Sequence, residues 1–401
     1  MKYLVLLSDG MADYNIEELG GQTPLAYAKT PNMDFLAAKG EIGTAATVPA
    51  GFPPGSDVAN LSVMGYDPRK YYTGRSPLEA VSMGVKLADS DVAFRCNLVT
   101  LSGEEKYEDK SMVDYSADEI TSPEAAELIN AVNEQCGGNG LVFHPGFRFR
   151  HLLVWQGGPD GMKLTPPHDI SGRTIGDHLP DGEGGGVLLD LMKKSNGILT
   201  GHPVNLSRIK QGLRPANSVW FWGQGRKPAL PRFIDKYNLT GSIISAVDLI
   251  KGIGICAGLD IVEVKDVTGT VETNYKGKVA AALKELDSGK DFVYVHVEAP
   301  DAASHRGETG TKVRAIEMVD EMLGLLLAGL ERHGSFKVML LPDHFTPLST
   351  MTHWDGPVPF AIYNRKAEKN NKNAAFTEEA AAGSGISFED GYKLMDYFIG
   401  A

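Results

Sequence analysis

Short apolar runs that alternate with helix-like segments form the main pattern of this chain. Three of the runs, residues 4–7, 292–295 and 338–341, are built from Leu, Val, Phe, Tyr and Met, and a Gly or Pro follows soon after each. Runs of this length and composition are typical of buried strands in a parallel sheet. Their alternation with helices predicts an α/β fold with a doubly wound sheet as its core.

Two helices are predicted in the first part of the chain. A Thr-Pro pair at residues 30–31 is a typical helix start. Further along, the Gly- and Pro-rich stretch 49–55 cannot form regular structure. It leads to Ser56, which we expect at the start of a helix over residues 57–64.

The pattern changes between about residues 91 and 172. Strand-like segments surround one helix over residues 122–136, and they are residues 92–101, 112–115, 141–143 and 151–155. Because both ends of this β-β-α-β-β block carry turn residues, we predict an inserted α+β domain at 91–172. The core is then discontinuous, with residues 1–90 and 173–401. Its further predicted strands are residues 197–200, 218–222 and 261–264.

Metal-binding residue types follow all three apolar runs. Asp9 follows the first run, Asp301 and His305 follow the second, and Asp343 and His344 follow the third. Because the carboxyl ends of parallel strands meet at one edge of a sheet, we expect these side chains to lie together. Asp and His suit divalent ions such as Zn²⁺ and Mn²⁺, and more ligands are present than one four-coordinate ion needs.

The spacing of these residues refines the prediction. Asp301 and His305 are four positions apart, so on a helical turn both can bind one ion. A capped helix start with a surface histidine explains that spacing equally well. The adjacent pair Asp343 and His344 can address two neighbouring ions from the end of a strand. His353 alone is typical of a structural loop histidine, but together with the others it indicates a ligand.

Ser56 is the candidate nucleophile. A serine hydroxyl is a weak nucleophile at neutral pH, and a metal ion is one means of activating it. A helix start also offers backbone N–H groups to a bound phosphate. The alternative is a plain helix N-cap, but the neighbouring metal residues favour a serine that accepts a phosphoryl group.

Composition and charge exclude several classes of protein. The chain has 401 residues, 42% of them hydrophobic, which is enough for two domains. Its apolar stretches are shorter than the ~20 residues of a membrane helix, and the N-terminus has no targeting pattern. Three widely spaced cysteines indicate a reducing compartment, so we expect a cytoplasmic location. A net charge of −12 opposes nucleic-acid binding, while a small anionic substrate stays compatible.

Several motifs together resemble one known family. The resemblance is to the archaeal-type cofactor-independent phosphoglycerate mutases of the alkaline phosphatase superfamily, and it spans essentially the whole chain. The metal motifs are jointly specific for the superfamily, whereas the Ser56 segment and Phe147–His151 point to this branch. The motifs are Asp9–Asp13, Pro54–Asn60, Glu298–His305, Asp343–His344 and His353–Pro359.

The resemblance implies the site and the reaction. The implied ligands of two divalent ions are Asp301, His305 and His353 for one ion and Asp9, Ser56, Asp343 and His344 for the other. Mn²⁺ is the first expectation, with Zn²⁺, Co²⁺ and Mg²⁺ also compatible, and 2,3-bisphosphoglycerate is not required. The implied reaction interconverts 2-phosphoglycerate and 3-phosphoglycerate through a phosphoserine on Ser56. The inserted domain is implied to close over the substrate, because water would hydrolyse that intermediate.

The anionic substrate requires basic side chains. The predicted substrate-binding residues are Asn60, Arg95, Arg150, His151, Arg226 and Lys227. An exposed basic loop is an equally good interpretation of Arg226 and Lys227, and an ordinary strand end is the alternative for Arg150 and His151.

Three other functions compete with the mutase interpretation. A metal-dependent phosphatase would use the same ligands, and a phosphotransferase would use another small acceptor such as homoserine. A non-catalytic metal-binding protein is disfavoured, because a structural metal site has no use for Ser56. The chain also lacks a Gly-x-x-x-x-Gly-Lys-Ser/Thr loop, which disfavours ordinary ATP chemistry. The oligomeric state is left open, a homo-oligomer included.

Overall fold

A computed structural model describes residues 1–371 and 374–400. The chain divides into two compact units. The core unit comprises Met1–Tyr72 and Ala229–Ala401, and the inserted unit comprises Thr73–Pro228. No helix in the described ranges has the length and apolar character that crossing a membrane requires.

The strands are numbered in chain order. They are β1 Lys2–Ser8, β2 Glu41–Ala45, β3 Val92–Leu101, β4 Met112–Asp114, β5 Leu141–His144, β6 Arg150–Trp155, β7 Ser218–Arg226, β8 Gly241–Ile244, β9 Asp260–Ile261, β10 Phe292–Val297, β11 Phe336–Leu341, β12 Val358–Asn364 and β13 Ser387–Phe388.

The α-helices are numbered in the same way. They are α1 Pro24–Tyr27, α2 Pro31–Lys39, α3 Ser56–Val63, α4 Pro68–Tyr71, α5 Ser76–Ser82, α6 Ser122–Cys136, α7 Gly185–Thr200, α8 Pro203–Lys210, α9 Phe233–Tyr237, α10 Asp248–Cys256, α11 Tyr275–Asp287, α12 Ala299–His305, α13 Thr309–Leu330, α14 Glu378–Ala382 and α15 Lys393–Gly400. Short 3-10 turns occur at Glu17–Leu19, Tyr107–Asp109, Pro167–Ile170, Gly176–His178 and Glu331–His333.

The core unit is built on one sheet. The described strands follow the order β13-β2-β12-β11-β1-β10-β8-β9. The strands from β11 to β9 are parallel, whereas β12 pairs antiparallel with both β11 and β2. The three apolar runs singled out in the sequence are the neighbours β11, β1 and β10. The predicted α/β class is confirmed, with an antiparallel portion added at one side of the sheet.

Helices cover both faces of this sheet. On one face, Leu4 and Leu6 of β1 share a buried apolar cluster with residues of α2, α11 and α13. On the other face, the Tyr3 ring lies 5.7 Å from the ring of Phe398 in α15. Because strands buried on both sides have no polar face, β1 reads as a continuous apolar run. Each buried Leu side chain stabilises the fold by about 1.5–3 kcal/mol.

The inserted unit has its own sheet and its own apolar core. Its strand order is β4-β3-β6-β5, and β7 pairs with β3 along the remaining edge. Residues from β3, β7, α6 and α7 form one buried cluster, in which Phe94, Leu128, Leu191 and Trp220 are members. Strand β3 and helix α6 have the bounds that the sequence predicted.

The inserted unit is wider than the predicted 91–172. Strand β7 pairs antiparallel with β3 from Ser218 opposite Val99 to Arg226 opposite Val92, and it therefore belongs to this unit. The prediction of a core strand at 218–222 was wrong for that reason. Residues 197–200 are the end of helix α7, because their apolar side chains continue a helical spacing. Of the predicted strand 261–264, the described strand β9 retains Ile261.

Candidate active site

The candidate ligands meet at the carboxyl ends of the central strands. Asp9 follows β1, Asp301 lies on α12 directly after β10, and Asp343 and His344 follow β11. Strand β1 is the parallel partner of both β10 and β11, so their ends are adjacent. The backbone N–H of Asp9 donates to the carbonyl of Val297 at 2.9 Å, which fixes Asp9 against the end of β10.

One cluster, the first ligand group, consists of Asp301, His305 and His353. The Nε2 atom of His305 lies 3.2 Å from Asp301 Oδ2, and His353 Nε2 lies 3.5 Å from Asp301 Oδ1. The two Nε2 atoms are 2.9 Å apart. Asp301 and His305 share one face of α12, as their spacing predicted. The three ligand atoms therefore converge on one point that a cation could occupy.

The second ligand group consists of Asp9, Ser56, Asp343 and His344. Around His344 Nε2 lie Ser56 Oγ at 3.1 Å, Asp343 Oδ2 at 3.4 Å and Asp9 Oδ1 at 3.6 Å. The rings of His344 and His353 are 4.0 Å apart between centroids, so the two groups are neighbours. Ligand atoms of Asp9, Asp301 and His344 also lie within 4.8 Å of one another, which makes Asp301 a link between the groups.

Ser56 is not a plain N-cap. Gly55 occupies the N-cap position of α3, and Ser56 is the first helical residue. Its hydroxyl faces His344 rather than the backbone of its own helix. The hydroxyl thus lies at a helix start, a position that favours a bound anion.

The electrostatics of the two groups fit divalent cations. Asp9, Asp301 and Asp343 are buried, and their ion-pair partners among the described residues are histidines. Burial raises the pKa of Asp9 well above its usual value, and the neighbouring Asp343 adds to the effect. Asp9 Oδ1 is buried without a hydrogen-bond partner in the described chain. Clustered buried carboxylates of this kind are costly unless a cation compensates them, and Asp, His and Ser donors suit Mn²⁺ or Zn²⁺.

The first ligand group is polarised internally. Burial acts to raise the pKa of Asp301, but hydrogen bonds from His305 and His353 hold it well below its usual value. In turn, the hydrogen bond to Asp301 raises the pKa of His305. Metal binding requires an ionised carboxylate and neutral imidazoles, so an ion that binds here would displace the protons that the histidines share with Asp301.

His296, which the sequence reasoning missed, orients Asp9. Its Nε2 lies 2.9 Å from Asp9 Oδ2, and its Nδ1 lies 3.2 Å from Ser245 Oγ. The Val247 N–H donates to the same Ser245 oxygen, so Val247, Ser245 and His296 form a line of hydrogen bonds that ends on Asp9. Because these hydrogen bonds engage Asp9 Oδ2, the other oxygen, Oδ1, is left facing His344 of the second ligand group. The available signal was a polar residue inside the apolar run 292–297.

Asn60 supports the ligands from behind. This side chain is fully buried and its polar atoms have protein partners, and its predicted contact with a substrate stays a prediction. Its Nδ2 donates to Asp343 Oδ2 at 2.8 Å and to the Ser56 carbonyl at 2.9 Å. Its Oδ1 accepts from the hydroxyl of Tyr294 at 2.6 Å. Asn60 thus connects the nucleophile to a ligand.

The predicted basic residues all lie in the inserted unit, in different surroundings. Arg95 is buried, with Nη1 3.3 Å from Glu79 and its guanidinium over the ring of Trp222. Arg150 is exposed beside Phe149, and Lys227 is also exposed. Exposed cations of this kind are free to bind an anion.

Arg226 and His151 have structural partners that the sequence did not reveal. Arg226 bonds to Asp160 at 2.7 Å, to the Gly158 carbonyl at 2.9 Å and to the Ser90 carbonyl. His151 is buried in β6, and its Nδ1 accepts the backbone N–H of Gly146 at 2.9 Å. Both side chains thus have partners within the inserted unit, although His151 Nε2 is buried without a hydrogen-bond partner among the described residues. Their contact with a substrate stays a prediction.

Comparison with known proteins identifies the family. A family model described as 2,3-bisphosphoglycerate-independent phosphoglycerate mutase matches residues 37–205, and one described as type I phosphodiesterase / nucleotide pyrophosphatase matches residues 176–386. A probable 2,3-bisphosphoglycerate-independent phosphoglycerate mutase of Geobacter sulfurreducens is 51% identical over 100% of both chains. The mutase of Methanothrix thermoacetophila is 49% identical, again over 100% of both.

This chain belongs to the cofactor-independent phosphoglycerate mutase family. The family consists of isomerases and lies in the alkaline phosphatase superfamily, as the sequence motifs indicated. Solved structures agree. A Pyrococcus horikoshii protein has a TM-score of 0.82 and 30% identity, over 100% of this chain and 97% of its own. The cofactor-independent phosphoglycerate mutase of Thermoplasma acidophilum has a TM-score of 0.67 and 25% identity, over 100% and 99%.

Gly10 is the residue in this mutase-family site that tolerates a side chain least. Its φ is +61°, and a Cβ would lie 2.6 Å from Thr346 Oγ1 and 2.7 Å from Asp301 Oδ1. We expect Gly10→Ala to lower the free energy of unfolding by about 2–5 kcal/mol, since backbone strain and overpacking add. Urea titration measures this loss.

Gly20→Ala is the matched control for the strain. Gly20 has a φ of +69° and open space where its Cβ would be. This variant should lose only about 1–2 kcal/mol. Equal losses in the two variants would show that the crowding around Gly10 has no energetic effect.

Buried His151 should make this family member sensitive to acid. Burial lowers its pKa to about 3, from 6.5 in the unfolded chain. Between these two pH values the unfolded state binds the additional proton, so stability falls as the pH falls, by about 1 kcal/mol per pH unit. The His151→Gln variant carries a side chain that does not titrate. Its free energy of unfolding should therefore depend less on pH than that of the wild-type protein. Urea midpoints from pH 7 downwards test this, and parallel curves would contradict it.

Proposed function

We propose that this chain interconverts 2-phosphoglycerate and 3-phosphoglycerate through a phosphoserine on Ser56, at a site that holds two divalent ions. The first ligand group would hold one ion and the second ligand group the other. The observation that carries the proposal is the Ser56 hydroxyl, which lies 3.1 Å from His344 among buried carboxylates. Membership in the mutase family supports the choice of substrate.

Ions held by these residues would supply positive charge to activate the Ser56 oxygen and to stabilise the transferring phosphoryl group. We propose Mn²⁺ first, with Zn²⁺, Co²⁺ and Mg²⁺ as alternatives, because the donors are a mixture of oxygen and nitrogen. No 2,3-bisphosphoglycerate is needed in this scheme, since the substrate itself phosphorylates the enzyme.

The transfer is balanced over two steps. In the first, Ser56 loses its proton, the bond from Oγ to phosphorus forms, and the bond from phosphorus to the glycerate oxygen breaks. The released glycerate hydroxyl takes up one proton. In the second step, the other glycerate hydroxyl attacks the phosphoserine, and Ser56 regains its hydroxyl. The net result is an isomerisation in which no water is consumed.

The remaining requirements are water exclusion and recognition of the substrate carboxylate. We assign both to the inserted unit, which carries the candidate cations. Arg150 and Lys227 keep their charges exposed, and Arg95 presents a guanidinium on Trp222, so these three are our proposed anion contacts. A cytoplasmic location is part of the proposal, because both substrates are intermediates of central metabolism.

The test is a coupled assay of 3-phosphoglycerate conversion. Metal-free protein receives Mn²⁺ without 2,3-bisphosphoglycerate, and free phosphate is followed in parallel. We expect metal-dependent isomerisation with little phosphate release. Phosphate release alone would replace the mutase with a phosphatase. If neither signal appears, the mutase proposal fails and homoserine becomes the next acceptor to test.

A further inference from the structure

Thr346 lies between the two ligand groups. Its side chain is fully buried two residues after His344. Its Oγ1 lies 2.7 Å from Asp301 Oδ1 and 3.1 Å from His344 Nδ1. One hydroxyl therefore touches one ligand from each group, although Thr346 belongs to neither.

The backbone of Thr346 is fixed on several sides. Its N–H donates to the Ala12 carbonyl at 3.2 Å, and its own carbonyl accepts from Lys312 Nζ at 3.0 Å. Lys312 is itself buried and paired with Asp13 at 2.8 Å. The hydroxyl is consequently held in place by groups outside the two ligand groups.

The number of protons decides the direction of the two hydrogen bonds. An ionised carboxylate can only accept, so the single Thr346 proton is donated to Asp301. The bond between Thr346 and His344 must then use a proton on His344 Nδ1. A neutral imidazole has one such proton, so His344 Nε2 carries a free lone pair. Nε2 is the atom that faces Ser56, Asp9 and Asp343.

We propose that Thr346 is a positioning residue that fixes the tautomer of His344 and the orientation of Asp301 at once. The proposal rests on the proposed function, because it assigns these ligands to two metal ions. Hydrogen bonds from groups behind a metal ligand commonly change metal affinity 10–100-fold. Here a single hydroxyl serves both groups, so its loss affects both binding steps.

Two variants separate the hydroxyl from the packing. Thr346→Val keeps the shape of the side chain but leaves His344 Nδ1–H without an acceptor and Asp301 without its donor. Thr346→Ser removes a methyl group and keeps the hydroxyl. Metal-free protein is titrated with Mn²⁺, and bound metal is measured by equilibrium dialysis. We expect both steps of the isotherm to be about 10–100-fold weaker in Thr346→Val and to recover in Thr346→Ser.

The tautomer is measured separately in metal-free wild-type protein. Two-bond ¹H–¹⁵N correlation spectra distinguish a protonated from an unprotonated imidazole nitrogen, and we expect His344 to carry its proton on Nδ1. A proton on Nε2 would overturn the inference even if Thr346→Val failed to fold. So would wild-type Mn²⁺ affinity in Thr346→Val, or a loss at one binding step alone.

These readouts do not depend on turnover of 3-phosphoglycerate. The tautomer and the Mn²⁺ binding could come out as expected while the protein shows no mutase activity. That outcome would overturn the proposed reaction and leave the role of Thr346 standing. If wild-type protein bound no Mn²⁺, the proposed metal sites would fail, and the spectra would still decide the tautomer.

Discussion

Replacing Ser56 with alanine should lower mutase turnover by about four orders of magnitude or more, because in the proposed mechanism the phosphoryl group would lose its acceptor. The fold should persist, since the variant removes one oxygen from the first residue of α3 and leaves the Asn60 bond to the residue-56 carbonyl intact. Steady-state assays measure the loss. Mass spectrometry of protein quenched with 3-phosphoglycerate should show a phosphorylated residue in wild type and none in the variant.

Ser62→Ala is the matched control for Ser56→Ala. Ser62 lies on the same helix, is buried, and has a hydroxyl without a hydrogen-bond partner in the described part of the chain. It should retain activity close to that of wild type. Full turnover by Ser56→Ala would sink the phosphoserine mechanism, whatever the metal content.

Asp301→Asn should have the second largest effect. Asp301 contacts both histidines of the first ligand group, lies within reach of Asp9 and His344, and accepts from Thr346. Removal of its charge should weaken metal binding and lower activity by about a thousand-fold, since a buried charge partner is worth about 3–5 kcal/mol. Metal analysis after dialysis and the coupled assay measure the two effects.

Asp355→Asn is the control for a general loss of negative charge. Asp355 is an exposed carboxylate two residues from His353, and it lies outside both ligand groups. Its replacement should leave metal content and turnover nearly unchanged. Two bound ions in Asp301→Asn would contradict the ligand assignment.

The local pattern was informative where each element is defined by its own residues. The run 292–295 could be recognised as a buried strand because both faces of the sheet are covered. Helix α6 could be bounded because a Thr-Ser-Pro-Glu start and a Gly end mark it. Residues 197–200 were misread because a four-residue apolar run does not distinguish a strand from the end of helix α7.

The edge of the inserted unit could not be predicted for a different reason. Strand β7 is far from β3 in sequence, and only their antiparallel pairing shows that they share a sheet. Likewise, the partners of Arg226 and the burial of His151 are not visible in a sequence. Desolvation and hydrogen bonding within the fold decide whether such a side chain presents its charge.

The sequence by itself determined the chemistry of this protein: which carboxylates, imidazoles and serine it can bring to the ends of its central strands. It could do so because a strand end is a local feature and Asp, His and Ser have few common roles together. The tertiary structure alone decided how these atoms are aimed, through His296 behind Asp9, Asn60 behind Asp343, and Thr346 between the two ligand groups. Hydrogen-bond direction depends on partners brought from distant segments, and no local pattern encodes them.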